Sequence, residues 1–260
     1  MSNSEALFAV EGPLAFLTFN RPEARNALTW AMYDALSAAC DEVDAAQNVR
    51  VFVVRAAGDA FAAGTDIRQF TGFGSGEDGV AYERRLDAVI DRLERVAVPT
   101  IAQVHGVAAG GGCAIALTCD LRVCTPSARF GVPIARTLGN CLSAANYARL
   151  VDLIGPARTK DLLFTGRFVD AAEAQSLGLV TRIADVHEID EAVRAFALEI
   201  ASNAPMTLRV TKESLRRIAL HRRLGAHAAD DLVASCYASQ DFREGVAAFL
   251  EKRKPRFTGM

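Results

Sequence analysis

Two rhythms of apolar and polar positions divide the chain. In the first half, short apolar runs bounded by turn residues alternate with stretches of helical period. Leu7 to Val10 and Leu14 to Phe19 read as paired strands turned at Glu11-Gly12-Pro13. Thr29 to Val43 spaces Met32, Leu36 and Cys40 by four, which is one face of a helix. Val51 to Arg55 reads as a short buried strand, and Thr71 to Gly79 has the glycine-rich composition of a mobile loop. Val80 to Val96 brings Leu86, Ile90 and Leu93 onto one helix face, and Thr100 to Val104 is again strand. A turn from Gly106 to Gly112 leads into an apolar helix from about Cys113 to Leu117, followed by a strand at Leu121 to Cys124.

Beyond Leu142 the period is mostly helical: Ala144 to Ile154, Ala157 to Leu163, Ala171 to Leu177, Glu188 to Ser202, Pro205 to Leu220, Ala226 to Ser239 and Asp241 to Arg253. Pro205 suits a first helical turn. The pattern predicts an α/β fold in one domain, a strand–helix core with a helical C-terminal extension. No long linker and no repeat of 20–50 residues is visible.

Composition adds exclusions. The chain has 260 residues, 51% hydrophobic and 23% charged, and 29 basic against 31 acidic side chains give a net charge of −2. That is a globular composition, long enough to bury about three quarters of its unfolded surface. The balance lacks the cationic surplus of a nucleic-acid surface. No window holds the roughly 18 apolar residues of a membrane span, and the N-terminus has no basic and apolar leader regions. Six cysteines without C-x-x-C spacing, with only four histidines, read as reduced thiols of a cytoplasmic protein, with no metal site.

The candidate chemistry lies in two glycine-bearing bends, Asp59 to Ile67 and Gly106 to Ala114. The second lacks the G-x-G-x-x-G of a dinucleotide loop, no P-loop is present, and the residues around Ser75 do not make G-x-S-x-G. His187, His221 and His227 read as surface residues. Small residues in each bend let backbone approach a ligand, and a helix follows. Two backbone N–H groups converging from such bends form an oxyanion hole. The competing reading is that the glycines permit tight packing.

These residues sit within a longer series of motifs: Asn20-Arg21-Pro22…Asn26-Ala27-Leu28, Ala63-Gly64-Thr65-Asp66, Gly106 to Asp120, Phe130-Gly131-Val132-Pro133, Thr165-Gly166-Arg167 with Ala172-Glu173-Ala174…Gly178-Leu179-Val180, and the tail Gly245 to Gly259. In kind and order they resemble the crotonase superfamily, the enoyl-CoA hydratase/isomerase family. The resemblance implies a ββα spiral core over residues 1–200 and a helical trimerisation region over 201–260. It implies homotrimers or homohexamers acting on a coenzyme A thioester, with no permanently bound cofactor, no nucleic acid and no membrane. It implies oxyanion-hole N–H groups from Thr65 and Gly111. For coenzyme A it implies contacts from Ala24, Arg25, Ala63, Asp66, Ile67 and Arg68, with Lys252 and Phe249 reaching the site of a neighbouring subunit.

One departure matters. Hydratases of this family place two glutamates just after G-G-G-C and F-G-x-P, where this chain has Ala114 and Ile134. Neither side chain carries a proton. The substitutes in reach are Cys141, a candidate nucleophile if a helix N-terminus lowers its pKa, and Glu83, a spare base on the helix after the glycine-rich loop. Arg136 reads either as a binder of an anionic acyl group or as the partner of a structural carboxylate. Asp66, Asp120 and His105 read as structural. Phe70, Phe73, Leu86, Ile90 and Leu142 are expected to form an apolar acyl pocket.

Overall fold

The structure, a computed structural model, describes residues 4–225 and 227–260. Met1 to Asn3, part of the leader reading, and the expected helix start at Ala226 lie outside the described residues. β1 (Ala6–Glu11) and β2 (Leu14–Phe19) make the expected antiparallel hairpin. α1 (Trp30–Ala45) starts where the Thr29 hydroxyl accepts the Met32 N–H at 3.2 Å. β3 (Val51–Ala56) follows, and then α2 (Gly76–Glu94). The helix therefore begins inside the segment expected to be loop. The Asp78 carboxylate accepts the Ser75 N–H at 2.9 Å, closing the helix start.

β4 (Thr100–Val104), β5 (Val107–Ala109) and α3 (Gly110–Thr118) come next, α3 starting three residues before the expected Cys113. β6 (Leu121–Cys124), β7 (Arg129–Gly131) and α4 (Ile134–Thr137) repeat that order. α5 (Ala144–Thr165) bends at Gly155-Pro156, where the two expected helices meet. The rest is β8 (Phe168–Asp170), α6 (Ala171–Ser176), β9 (Arg182–Ile183), α7 (Ile189–Ala201), α8 (Pro205–Arg222), α9 (Asp230–Ala238) and α10 (Gln240–Leu250).

The strands form a six-stranded sheet in the order β1-β2-β3-β4-β6-β9, parallel after the hairpin, and a three-stranded sheet β5-β7-β8. Each turn of chain leaves the large sheet, crosses the small one and enters a helix. The β4–β5–α3 and β6–β7–α4 units do this fully. Single parallel bridges Leu28–Thr65 and Ala62–Ala108 mark the same crossing in the two earlier turns. A structural repeat exists where the sequence shows none, because the turns have unequal lengths: the large-sheet strands start at residues 14, 51, 100 and 121.

Both faces of the large sheet are covered, which is why its strands read as continuous apolar runs. Ala15, Leu17, Phe19, Phe52 and Val54 face the main core with α1, α2 and α3; Leu14, Phe16, Val51 and Val53 face α7. α9 and α10 join the main core through Val233, Tyr237, Phe242 and Val246. α8 buries no residue. No helix among the described residues is long and apolar enough to cross a membrane.

Candidate active site

The two bends lie side by side. The Ala109 N–H donates to the Ala62 carbonyl at 2.9 Å, and the Ala62 N–H to the Val107 carbonyl at 3.0 Å. Gly64 takes φ +107°, open to glycine alone without strain, and turns Thr65 toward the cleft. On its other side the bend is tied down: Ala63 N–H to Arg25 C=O at 3.0 Å and Asp66 N–H to Leu28 C=O at 2.9 Å. Between these bonded amides the Thr65 N–H is free. Gly111 is the second residue of α3, where a helix leaves its N–H groups without partners. Among the described residues neither amide donates to a protein group.

A side-chain network fixes their spacing. The Thr65 hydroxyl is hydrogen-bonded to the Tyr33 hydroxyl at 2.8 Å and to the Tyr82 hydroxyl at 2.7 Å. A β-carbon on Gly111 would lie 2.3 Å from the Tyr33 oxygen and 3.1 Å from the Thr65 hydroxyl, so glycine is required for this approach. Burial drives both phenols to higher pKa and keeps them protonated. Arg122, buried behind α3, donates to the Ala116, Leu117 and Cys119 carbonyls and anchors the helix end opposite Gly111.

Thr65 and Gly111 line one cleft of about 770 Å³. Ala24, Arg25, Ala63, Asp66, Ile67, Arg68 and Lys252 line the same cleft, so every residue expected at the thioester and coenzyme A site except Cys141 is brought together. Arg25, Arg68, Arg136 and Lys252 are exposed on it, a cationic rim. Asp66 is tied to Arg68 at 2.6 Å and Arg21 at 2.9 Å, which holds its carboxyl far below the usual range. It is a fixed anion that caps the short turn at Ile67–Phe70.

Deeper in, the wall is apolar, with Phe70, Leu86, Ala114, Ile134 and Leu142. Phe73 and Ile90, expected there, lie behind it. Phe73 packs in an aromatic cluster with Phe70, Tyr82, Tyr237 and Phe242, and Ile90 is wholly buried. One carboxyl group interrupts the wall, beside the amides of Asn140 and Asn146. Glu83 is buried, accepting the Tyr237 O–H at 2.7 Å and the Ser143 N–H at 3.0 Å. Burial pushes its carboxyl up to about 8, against the two donors that favour the anion.

Residues 10–260 match the family described as enoyl-CoA hydratase/isomerase. The chain belongs to that family. Among its relatives, the putative enoyl-CoA hydratase of Thermus thermophilus is 38% identical over 254 residues, 95% of this chain and 98% of that one. The probable enoyl-CoA hydratase echA8 of Mycobacterium tuberculosis is 35% identical over 94% of each chain. Among solved structures, methylmalonyl-CoA decarboxylase in complex with 2-nitronate-propionyl-CoA superposes with a TM-score of 0.91 at 26% identity, over 100% of both chains. An enoyl-CoA hydratase/carnithine racemase from Magnetospirillum magneticum gives 0.80 at 33% identity, covering 98% of this chain and 96% of that one.

Within this family member, several expected roles change. Lys252 and Phe249 line the cleft of their own chain, where α10 packs on the short turn at Ile67–Phe70. Cys141 does not line the cleft. It lies two residues before the N-cap Ser143 of α5, and a contact with Cys236 together with burial pushes its thiol up, the opposite of an activated nucleophile. Arg136 has no ion-pair partner among the described residues, so the structural pairing is not made there, and the residue lines the cleft. Asp120 is structural: it accepts the Thr100 N–H at 2.7 Å and pairs with Lys212 at 2.7 Å. His105 is off the cleft wall, and burial lowers its pKa. The tyrosines at positions 33, 82 and 237 escaped the sequence reading. They are aromatic positions on helix faces, indistinguishable there from ordinary core.

Proposed function

We propose that the protein acts on an acyl-CoA thioester by receiving the carbonyl oxygen on the Thr65 and Gly111 N–H groups and stabilising an enolate. The observation that carries this is the pair of unbonded amides in adjacent bends on one cleft, one of them at a helix N-terminus. The cationic rim suits the phosphates of coenzyme A, and the apolar wall suits an acyl chain. Coenzyme A arrives as part of the substrate, and the enzyme needs no resident cofactor. Assembly as a homotrimer or homohexamer in the cytoplasm belongs to the same reading.

Water addition is disfavoured. Ala114 and Ile134 stand on the cleft wall at the places where the family's hydratases carry glutamates, and neither can activate water. Reactions that need the enolate but no water-activating pair fit better, such as isomerisation. Decarboxylation is the second such reaction, favoured by the likeness to methylmalonyl-CoA decarboxylase and by Arg136, which has no ion-pair partner among the described residues. The test is difference infrared spectroscopy of butyryl-CoA labelled with carbon-13 at the carbonyl. Polarisation by two amides lowers the C=O stretching frequency on binding. An unshifted band at saturating protein would discard the oxyanion-hole reading.

A further inference from the structure

We propose that Glu83 is the proton carrier of this site, exchanging a proton with the α-carbon of the bound acyl thioester. The proposal rests on the enolate reading above and assigns the group that reading leaves open. Among the described residues, two carboxyl groups line the cleft. Asp66 is locked between Arg21 and Arg68 and stays an anion. Glu83 has no ion pair among the described residues, and it lies beside Tyr82, whose hydroxyl touches Thr65. It is thus on the wall that continues from the thioester subsite into the acyl pocket.

Its setting is that of an acid–base group. The Ser143 N–H holds one carboxyl oxygen and the Tyr237 O–H the other, which fixes the rotamer. The Asn140 amide nitrogen donates to the Tyr237 oxygen at 3.2 Å; Asn140 also lines the cleft, and its buried Oδ1 has no partner among the described residues. Glu83, Tyr237 and Asn140 form a hydrogen-bonded chain that holds the carboxyl group in place. The other titratable groups around Glu83 are Asp87 one turn along α2, Cys236 on α9 and Cys141 before α5. Tyr33, Tyr82 and Tyr147 complete the set. None is a cation, so burial dominates and pushes the carboxyl up to about 8. Above that pH it is a base; below it, an acid.

The step balances without a co-reactant. The Glu83 carboxylate takes the α-proton, and the C–H pair becomes the C=C bond of the enolate. The carbonyl pair moves onto the oxygen at Thr65 and Gly111. In reverse, protonated Glu83 returns the proton to carbon and the carbonyl re-forms. An isomerisation uses both directions, and a decarboxylation uses the second.

The experiment follows loss of the α-proton signal of butyryl-CoA in deuterated buffer by NMR, alongside the carbonyl infrared band. The wild-type protein is expected to exchange, with a rate that rises with pH and levels above about 8. E83Q, which keeps the shape and an acceptor, should lower exchange by a factor of about 100 or more while the infrared shift persists. Should E83Q fail to fold, Y237F decides. Losing the O–H that favours the anion moves the midpoint upward. Exchange by folded E83Q close to the wild-type rate, an unmoved Y237F midpoint, or a shifted carbonyl without wild-type exchange each overturns the Glu83 assignment and leaves the oxyanion hole standing. An unshifted carbonyl sinks the hole itself.

Discussion

At Gly111 the side chain is a single hydrogen because a tyrosine hydroxyl occupies the space a methyl would need. The Tyr33 oxygen lies 2.3 Å from that position and the ring carbon bearing it 3.5 Å away. Gly111→Ala should therefore destabilise the fold by about 1–3 kcal/mol through overpacking, and Tyr33→Phe, by removing the oxygen, should recover most of that loss. Urea denaturation of the two single variants and the double variant checks this. Equal stability of G111A with and without Tyr33→Phe would refute the contact. Residues whose role is local were legible in sequence: the bends around Thr65 and Gly111 announce themselves by adjacent small residues. Glu83 could be marked only as a spare base, because what makes it one is Tyr237, 154 positions away. Separation along the chain likewise hides Asn140, 97 positions from Tyr237, and the hydroxyl pair of Tyr33 and Tyr82 on Thr65.

Between elements, the contact of α2 with α9 shows why composition misled. Thr71 to Gly79 carries four glycines, yet two of them, Gly76 and Gly79, are helical and mark where α9 crosses. A β-carbon on Gly79 would sit 2.1 Å from the Tyr237 ring, and one on Gly76 2.2 Å from the Ala234 carbonyl oxygen. Gly79→Ala is expected to lower the urea midpoint by an amount corresponding to about 1–3 kcal/mol. A larger shift in the exchange-rate midpoint than in any distant destabilised variant is expected with it, because Tyr237 is displaced from Glu83. An unchanged midpoint on both measures would contradict this packing. The long helices and five of the six large-sheet strands were legible from the apolar pattern. β5, β7, β8 and β9 were not, since two or three residues cannot display an alternation. The kink in α5 was visible because Gly155-Pro156 breaks the helix chemically as well as geometrically.

On the scale of the whole molecule, the helical C-terminal region divides into two kinds of surface. α9 and α10 face inward and finish the core and the cleft. α8 has Met206, Val210, Leu215 and Ile218 each more than half exposed, an apolar stretch of the kind that association covers. Sedimentation is expected to give a mass of several chains, and paired charge substitutions at Leu215 and Ile218 to reduce it while circular dichroism stays unchanged. A monomeric wild-type protein at micromolar concentration would remove the assembly proposal. Motif order along the chain made the fold legible at this scale. The direction taken by the last helix was not, because a helix with two apolar flanks can fold back or reach out with the same sequence.

That direction bears on what truncation removes. Phe249, Leu250 and Lys252 line the cleft, so shortening the chain after Ala248 takes away part of the cleft wall together with the end of α10.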